Sequence, residues 1–599
     1  MLLAEKLKHG VPSPDWTKNL VICEISTKNF NSPKKSEAGT FNSLKTKIPY
    51  LSKVGINAIW LTGHHLANSN HFYNIWTQYA VISPDKIDPS LGSKQEFKAM
   101  IDDAHKHGIK IFLDIITHGV MPESPLVKKH PKWFKGGSWG MVDFDWKAHN
   151  KELDDWWVKM YTGYVTELGV DGYRLDLDIH RPDLWLKIRQ NCAEAGRPIV
   201  VFGENWEYGE YDLPLEGIMD FSQKGEGDIT PNDSREYDKN HPMVRNLAEF
   251  ANSVYNGNIP KRIFNVEIQY SDGSVVRGST ENKGKLKIFF KGITKDIVGK
   301  EKQKPDGKND IELLVEGINP TQEIKNVIVT EGKGTWQMLD NGNWLANVKK
   351  SGSNLKIYIA EYKRNAGATS GFVPGFVLAN ISMHDVGWEG FPLDKNPYVI
   401  KFSRGLFGYS ALFSPLIPLF FAGEEFSAEF RPAENLASSC YKAKNVGKGK
   451  WLYGSWIDWS QLEKPEHKSM LEDVTKMLKI RKQESDLIYG RQRHEKINIL
   501  PVEFKSNIDI PAPYILWNKN KAILVAANYN TKTDAKLELK IPIAKMNFGS
   551  GKKFIVEDLW NENKKTVSAK ELNDFRCIIK ADKQPGGGIG IWKVSRNTL

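Results

Sequence analysis

In "GVDGYRLDLDIH" (169–180), one arginine and two aspartates fall within five positions of a largely apolar run. As a strand, this run puts Arg174, Asp176 and Asp178 on one face and Leu175 and Leu177 on the other. Charge is rarely buried unless it is paired or functional. Other apolar runs also end in acids and histidines: Asp114 and His118 around "FLDIITH", Glu204 in "VVFGENW", and His384 and Asp385 in "NISMHD". Two carboxylates on adjacent strands suit glycosidic cleavage. One attacks the anomeric carbon and the other protonates the leaving oxygen. The attacker must be ionised, and Arg174, two residues before Asp176 on the same face, is the cation that would favour this. The donor must hold its proton near neutrality, and Glu204, between "IVVFG" and Trp206, has the apolar setting for that. Asp385 is a third acid, available to hold a distorted sugar.

These residues need a scaffold that brings distant strand ends together. Short apolar runs alternate with helical patterns from residue 20 onwards. "LVICEIS" (20–26), "INAIWLT" (56–62), "IKIFLDII" (109–116), "VDGYRLDLD" (170–178), "PIVVFGEN" (198–205) and "GIMDFS" (217–222) read as strands. Between them, 41–54, 93–108, 150–169, 182–196 and 243–257 read as helices, and Ser93 with Glu96 forms a capping-box signature. With "GFVLANISMHD" (375–385) and "SPLIPLFFAGEEF" (414–426), the strand count reaches eight. The expected fold is therefore α/β, a (β/α)8 TIM barrel, whose strand ends converge on one mouth.

One stretch breaks the rhythm. Residues 261–363 show short alternating runs separated by Gly, Asp and Asn turns, the pattern of an inserted all-β domain. The insert divides the barrel into 1–260, with a short loop domain at 119–143 after strand three, and 364–490. Residues 491–599 read as a C-terminal β-sandwich. The insert suits either a carbohydrate-binding module or a spacer.

Composition bounds the alternatives. The chain has 599 residues, 40% apolar and 26% charged, a globular composition too long for one core. The net charge of +11 comes from scattered lysines, which speaks against a nucleic-acid partner. Cys23, Cys192, Cys440 and Cys577 have no metal spacing and imply no disulfide framework. No membrane-length apolar stretch and no signal-like start is present, so the expectation is a cytoplasmic chain, or a periplasmic or secreted one after processing.

Four short stretches, "FLDIITH", "GYRLDLDIH", "GEN" and "HD", resemble in order and spacing the motifs of the α-amylase superfamily, glycoside hydrolase family 13. "YAVISPDKIDPSLGSKQEFKAMIDDAHKHGIK", "HPKWF", "LIPLFFAGEEF" and "KMLKIRKQESDLIYG" extend the resemblance over roughly 18–490, the insert excepted. It implies Asp176 as nucleophile, Glu204 as general acid/base and Asp385 as transition-state stabiliser. Arg174 would order Asp176, His118 and His384 would bind sugar hydroxyls, and His180 would lie on the acceptor side. Asp114 would be structural. The implied reaction is retaining cleavage of, or transfer at, an α-glucosidic bond of starch, maltooligosaccharides or related α-glucans. A non-catalytic glucan-binding homologue is the contrasting possibility, opposed by the complete acid set.

Several positions depart from that family pattern. Thr117 stands where the family usually carries Asn, Met383 replaces another Asn, and Ile179 replaces a frequent Lys. No cofactor is implied. A hydroxyl at Thr117 is a poorer Ca2+ ligand than an amide oxygen, so calcium has little support and no metal ligand is assigned. Tyr73, Trp76, Trp206 and Trp388 are candidate stacking platforms for pyranose rings.

Overall fold

The computed structural model describes residues 13–33, 39–68, 79–138, 140–176, 180–203, 216–220, 246–248, 251–252, 256, 264–293, 311–331, 334–337, 344–359, 376–380, 403–428, 430–432, 455–492, 495–546 and 553–596. Eight parallel strands close a barrel: β1 (Ile22–Ser26), β2 (Ala58–Thr62), β3 (Lys110–Ile116), β4 (Gly172–Asp176), β5 (Val200–Gly203), β6 (Glu216–Asp220), β7 (Val377–Asn380) and β8 (Ile417–Phe421). They neighbour one another in chain order, and β8 pairs back onto β1 through Ile22–Leu419 and Glu24–Phe421. This is the (β/α)8 barrel expected from the alternation of strand and helix patterns.

Every residue of β1, β2 and β8 is buried. Strands covered on both faces read as continuous apolar runs, which is why these segments show little alternation in sequence. One face fills the barrel: Ile22, Ala58, Trp60, Phe112, Val200, Phe202, Leu378, Ile417 and Leu419 form a single apolar cluster. Above it, the inward positions of β3 and β4 turn polar at Asp114, Arg174 and Asp176. The register places Asp114 opposite Arg174 and Ile116 opposite Asp176.

Gly172 explains the small residue before "YR". A Cβ there would lie 1.9 Å from the Val200 carbonyl oxygen on β5. Its absence lets β4 and β5 pair at Gly172–Val200, two residues below Arg174.

The helices α1 (Lys94–Lys106), α2 (Lys151–Gly163), α3 (Pro182–Glu194), α4 (Arg404–Ala411) and α5 (Pro465–Gln483) belong to the same compact unit. The Ser93–Glu96 capping box forms, with Ser93 N donating to Glu96 at 2.7 Å and Glu96 N donating to Ser93 Oγ at 3.2 Å. The pattern over 41–54 divides into two short helices, Phe41–Lys45 and Ile48–Val54. The break falls just before Pro49, which occupies the first turn of the second helix, where its missing N–H costs nothing.

Two further β regions are present. Gly257–Pro374 belongs to a second compact unit whose eight strands close a ring around Val266, Ile268, Leu286, Ile288, Leu313 and Val315. Towards the C-terminus, a six-stranded and a three-stranded sheet enclose another core, which includes Ile515, Leu524, Leu537, Leu539, Phe554 and Trp592. Strand Ala535–Lys540 alternates strictly between buried and exposed residues, as a sheet with one wet face requires. Among the described residues, no helix is long and apolar enough to cross a membrane.

Candidate active site

Asp114 is the hub of the polar layer. Its carboxylate accepts from Arg174 Nη1 at 2.9 Å, from Trp60 Nε1 at 3.0 Å and from the Tyr79 hydroxyl at 2.6 Å. Arg174 also donates from Nη1 to Asp176 Oδ1 at 2.6 Å. One fully buried guanidinium thus bridges two carboxylates, and its carbon lies 4.9 Å over the Trp60 ring. A cation over an indole face gains from the ring quadrupole, and more so when desolvated.

The two aspartates are not equivalent. The Asp114 side chain is 3% exposed and the Asp176 side chain 13%. Asp114 is locked among three donors, whereas Asp176 ends β4 on the side where the barrel opens. Burial pushes the Tyr79 phenol well up, with Asp114 adding to the shift and Arg174 opposing it. Tyr79 therefore stays a neutral donor.

The turn after β3 carries Thr117 and His118. Thr117 Oγ1 donates to the backbone oxygen of Asp176 at 3.1 Å, tying this turn to the end of β4. Trp146 Nε1 in turn donates to the Thr117 carbonyl at 2.9 Å. The Thr117 hydroxyl thus serves a backbone group, and among the described residues no cluster of three His, Cys, Asp or Glu could hold a metal.

His118 Nδ1 lies 3.5 Å from Asp143 Oδ1, and Ser138 Oγ donates to that same carboxylate oxygen at 2.8 Å. Burial lowers the pKa of His118; Asp143 works against this and neighbouring His180 adds to it. His118, on the turn after β3, and His180, on the turn after β4, therefore share one neighbourhood.

The structure thus brings Arg174, Asp176, Asp114, His118 and His180 to one end of the barrel. Glu204, Trp206, Tyr73, Trp76, His384, Asp385, Asp178 and Trp388 lie outside the described residues. Glu204 directly follows Gly203, the partner of Leu175, and Asp385 is five residues after Asn380, the partner of Leu419.

Three residues of this site are absent from the sequence reading: Tyr79, Trp60 and Asp143. For Tyr79 a signal existed, because it opens the quoted stretch "YAVISPDK", three residues after Trp76 in sequence. Trp60 sits mid-strand in an apolar run and reads as core. Asp143 is 25 residues from His118, and no spacing rule links the two.

Residues 24–133 match a family model described as "Alpha amylase, catalytic domain". A cyclomaltodextrinase from Thermoanaerobacter pseudethanolicus is 27% identical over 32% of this chain, and a maltogenic α-amylase from Bacillus acidopullulyticus is 25% identical, also over 32%. The chain spans about 40% of the length of these curated relatives. A maltogenic α-amylase from Thermotoga neapolitana superposes with a TM-score of 0.53 at 16% identity, covering 97% of this chain and 99% of that one, a likeness of fold. With the closed parallel barrel and the acid-bearing ends of β3 and β4, these matches make the chain similar to the α-amylase superfamily, glycoside hydrolase family 13.

Proposed function

We propose that the protein is a retaining glycoside hydrolase acting on α-glucosidic bonds of maltooligosaccharides or related α-glucans. The observation that carries this reading is the 2.6 Å bond from Arg174 to Asp176 at the open end of the barrel. A guanidinium in that position favours the carboxylate over the acid, as an attacking group requires.

In this reading Asp176 Oδ forms a bond to the anomeric carbon as the bond to the leaving oxygen breaks, and Glu204 transfers its proton to that oxygen. Glu204 then removes a proton from water, which attacks C1 and releases Asp176 with configuration retained. Asp385 stabilises the positive charge that develops on the sugar ring. Neutral His118 can accept from a sugar hydroxyl through Nε2, because Nδ1 carries the ring proton towards Asp143. A sugar hydroxyl can replace water in the second step, so hydrolysis and transfer share one intermediate.

The deciding experiment compares the parent with Asp176→Asn by reducing-sugar release from maltoheptaose, together with chromatography of the products. Loss of release in the variant supports the proposal, and equal rates in both proteins would remove it. Products longer than the substrate would make transfer the main reaction.

A further inference from the structure

Arg181 has a backbone conformation that its own chemistry does not favour. It sits at φ 54°, ψ 64°, in the left-handed region, and precedes Pro182. Residues with a Cβ avoid that region, and a residue before proline is biased towards extended geometry. Nor does Arg181 act as a helix cap through its side chain: it stands at the N-cap of α3 without a capping bond, and arginine has no acceptor to offer the free N–H groups.

The side chain is used elsewhere. Arg181 Nη1 and Nη2 donate to the two oxygens of Asp154 on α2 at 2.6 and 2.8 Å. Nε and Nη2 donate to the two oxygens of Asp183 on α3 at 2.9 and 2.7 Å. The guanidinium side chain is 9% exposed and that of Asp154 17%, so this is not a loose surface pair. Two bidentate carboxylates hold the fork in one plane, and strained backbone persists only where its surroundings over-determine it.

Only four residues separate Asp176 from Arg181, and the last of them is His180. Asp176 is held by the last pairing of β4 and Arg181 by this clamp, so the described residues on both sides of the connection are fixed. His180 in turn is near enough to His118 to disfavour its protonation. We propose that Arg181 is a positioning residue: clamped to Asp154 and Asp183, it holds the turn after β4 so that His180 stays beside His118 on the acceptor side of the site. The acceptor-side role rests on the proposed function, whereas the clamp and the histidine pairing do not.

The test has two arms, run on Arg181→Ala, Arg181→Lys and Asp154→Asn. In the first, histidine-selective NMR follows the titration of His118 with and without His180→Gln. In the parent, His180→Gln is expected to raise the His118 midpoint. In Arg181→Ala the same change is expected to leave it unmoved, because His180 no longer sits there. In the second arm, kinetics on maltoheptaose are expected to show kcat/KM down on the order of 10-fold, mostly through KM, with partial recovery in Arg181→Lys. Asp154→Asn keeps one acceptor and serves if Arg181→Ala does not fold. An unchanged His118–His180 coupling in the clamp variants would overturn the proposal. A parent inactive on every α-glucan would defeat the proposed function, and the NMR arm would still decide the clamp.

Discussion

Arg174 and Asp176 are joined through Nη1 and Oδ1 at 2.6 Å, and the same nitrogen reaches Asp114 at 2.9 Å. The two aspartates differ in burial, so one cation anchors an enclosed acid and contacts a second at the open end of the barrel. Replacing Asp176 with Asn removes the carboxylate proposed as nucleophile and leaves the Asp114 hub intact. Turnover of maltoheptaose is expected to fall by roughly 10³-fold or more, while the melting temperature changes little. Steady-state rates and a thermal melt of the same preparation check both halves.

Replacing Arg174 is expected to act on folding as well as on rate. Arg174→Ala leaves the Asp114 carboxylate buried without its cation, and breaking such a pair costs about 3–5 kcal/mol. Arg174→Lys keeps the charge but loses the planar fork. It should fold better than the alanine variant and still lose on the order of 10²-fold in kcat. Urea unfolding beside kinetics separates the two effects.

Gly172→Ala tests the approach of β4 to β5. The added Cβ would sit 1.9 Å from the Val200 carbonyl oxygen, a backbone atom that cannot move aside alone. The expected cost is on the order of 3 kcal/mol or more, with catalytic loss following from the displaced strand. A fully stable, active alanine variant would show that the strands can separate without penalty.

The C-terminal sheets meet the barrel at Asp582, a buried carboxylate that accepts from Gly405 N at 2.7 Å and Ser403 Oγ at 2.9 Å at the start of α4. Burial pushes its pKa up to about 7 despite these bonds and nearby Arg404. The folded state then keeps a proton that the unfolded chain, with an ordinary aspartate, releases near pH 4. This contribution is fully present below pH 4, falls as pH rises towards 7 and is flat above that. A shift of this size corresponds to about 4 kcal/mol. Asp582→Asn is expected to flatten the fall in melting temperature between pH 4.5 and 7.5.

His118 is the group whose charge should govern the acid side of activity. Burial lowers its pKa and Asp143 partly opposes this, so removing the acid should lower it further. Asp143→Asn is expected to move the His118 midpoint down, measured by NMR. Any activity loss that follows His118 protonation should shift to lower pH with it. An upward shift would contradict the assigned geometry.

The barrel was legible in the sequence because its determinants are local. Runs such as Ala58–Thr62 and Ile417–Phe421 are short, apolar and spaced by helical patterns, and a parallel barrel buries such runs on both faces. The pairing of Arg174 with Asp176 was legible for the same reason: two residues apart on a strand means one face. The capping box at Ser93 was likewise written in four consecutive residues.

Tertiary structure decided what depends on pairs distant in sequence. Asp114 meets Trp60 across 54 positions and Tyr79 across 35, and His118 meets Asp143 across 25. The clamp of Arg181 on Asp154 spans 27. Periodicity reports which way a side chain points along its own element and carries no term for the element opposite. The sequence by itself therefore determined the strands, their inward faces and the residue types able to do acid chemistry. Which aspartate is locked and which is presented was decided only when strand register and barrel closure set the distances between them.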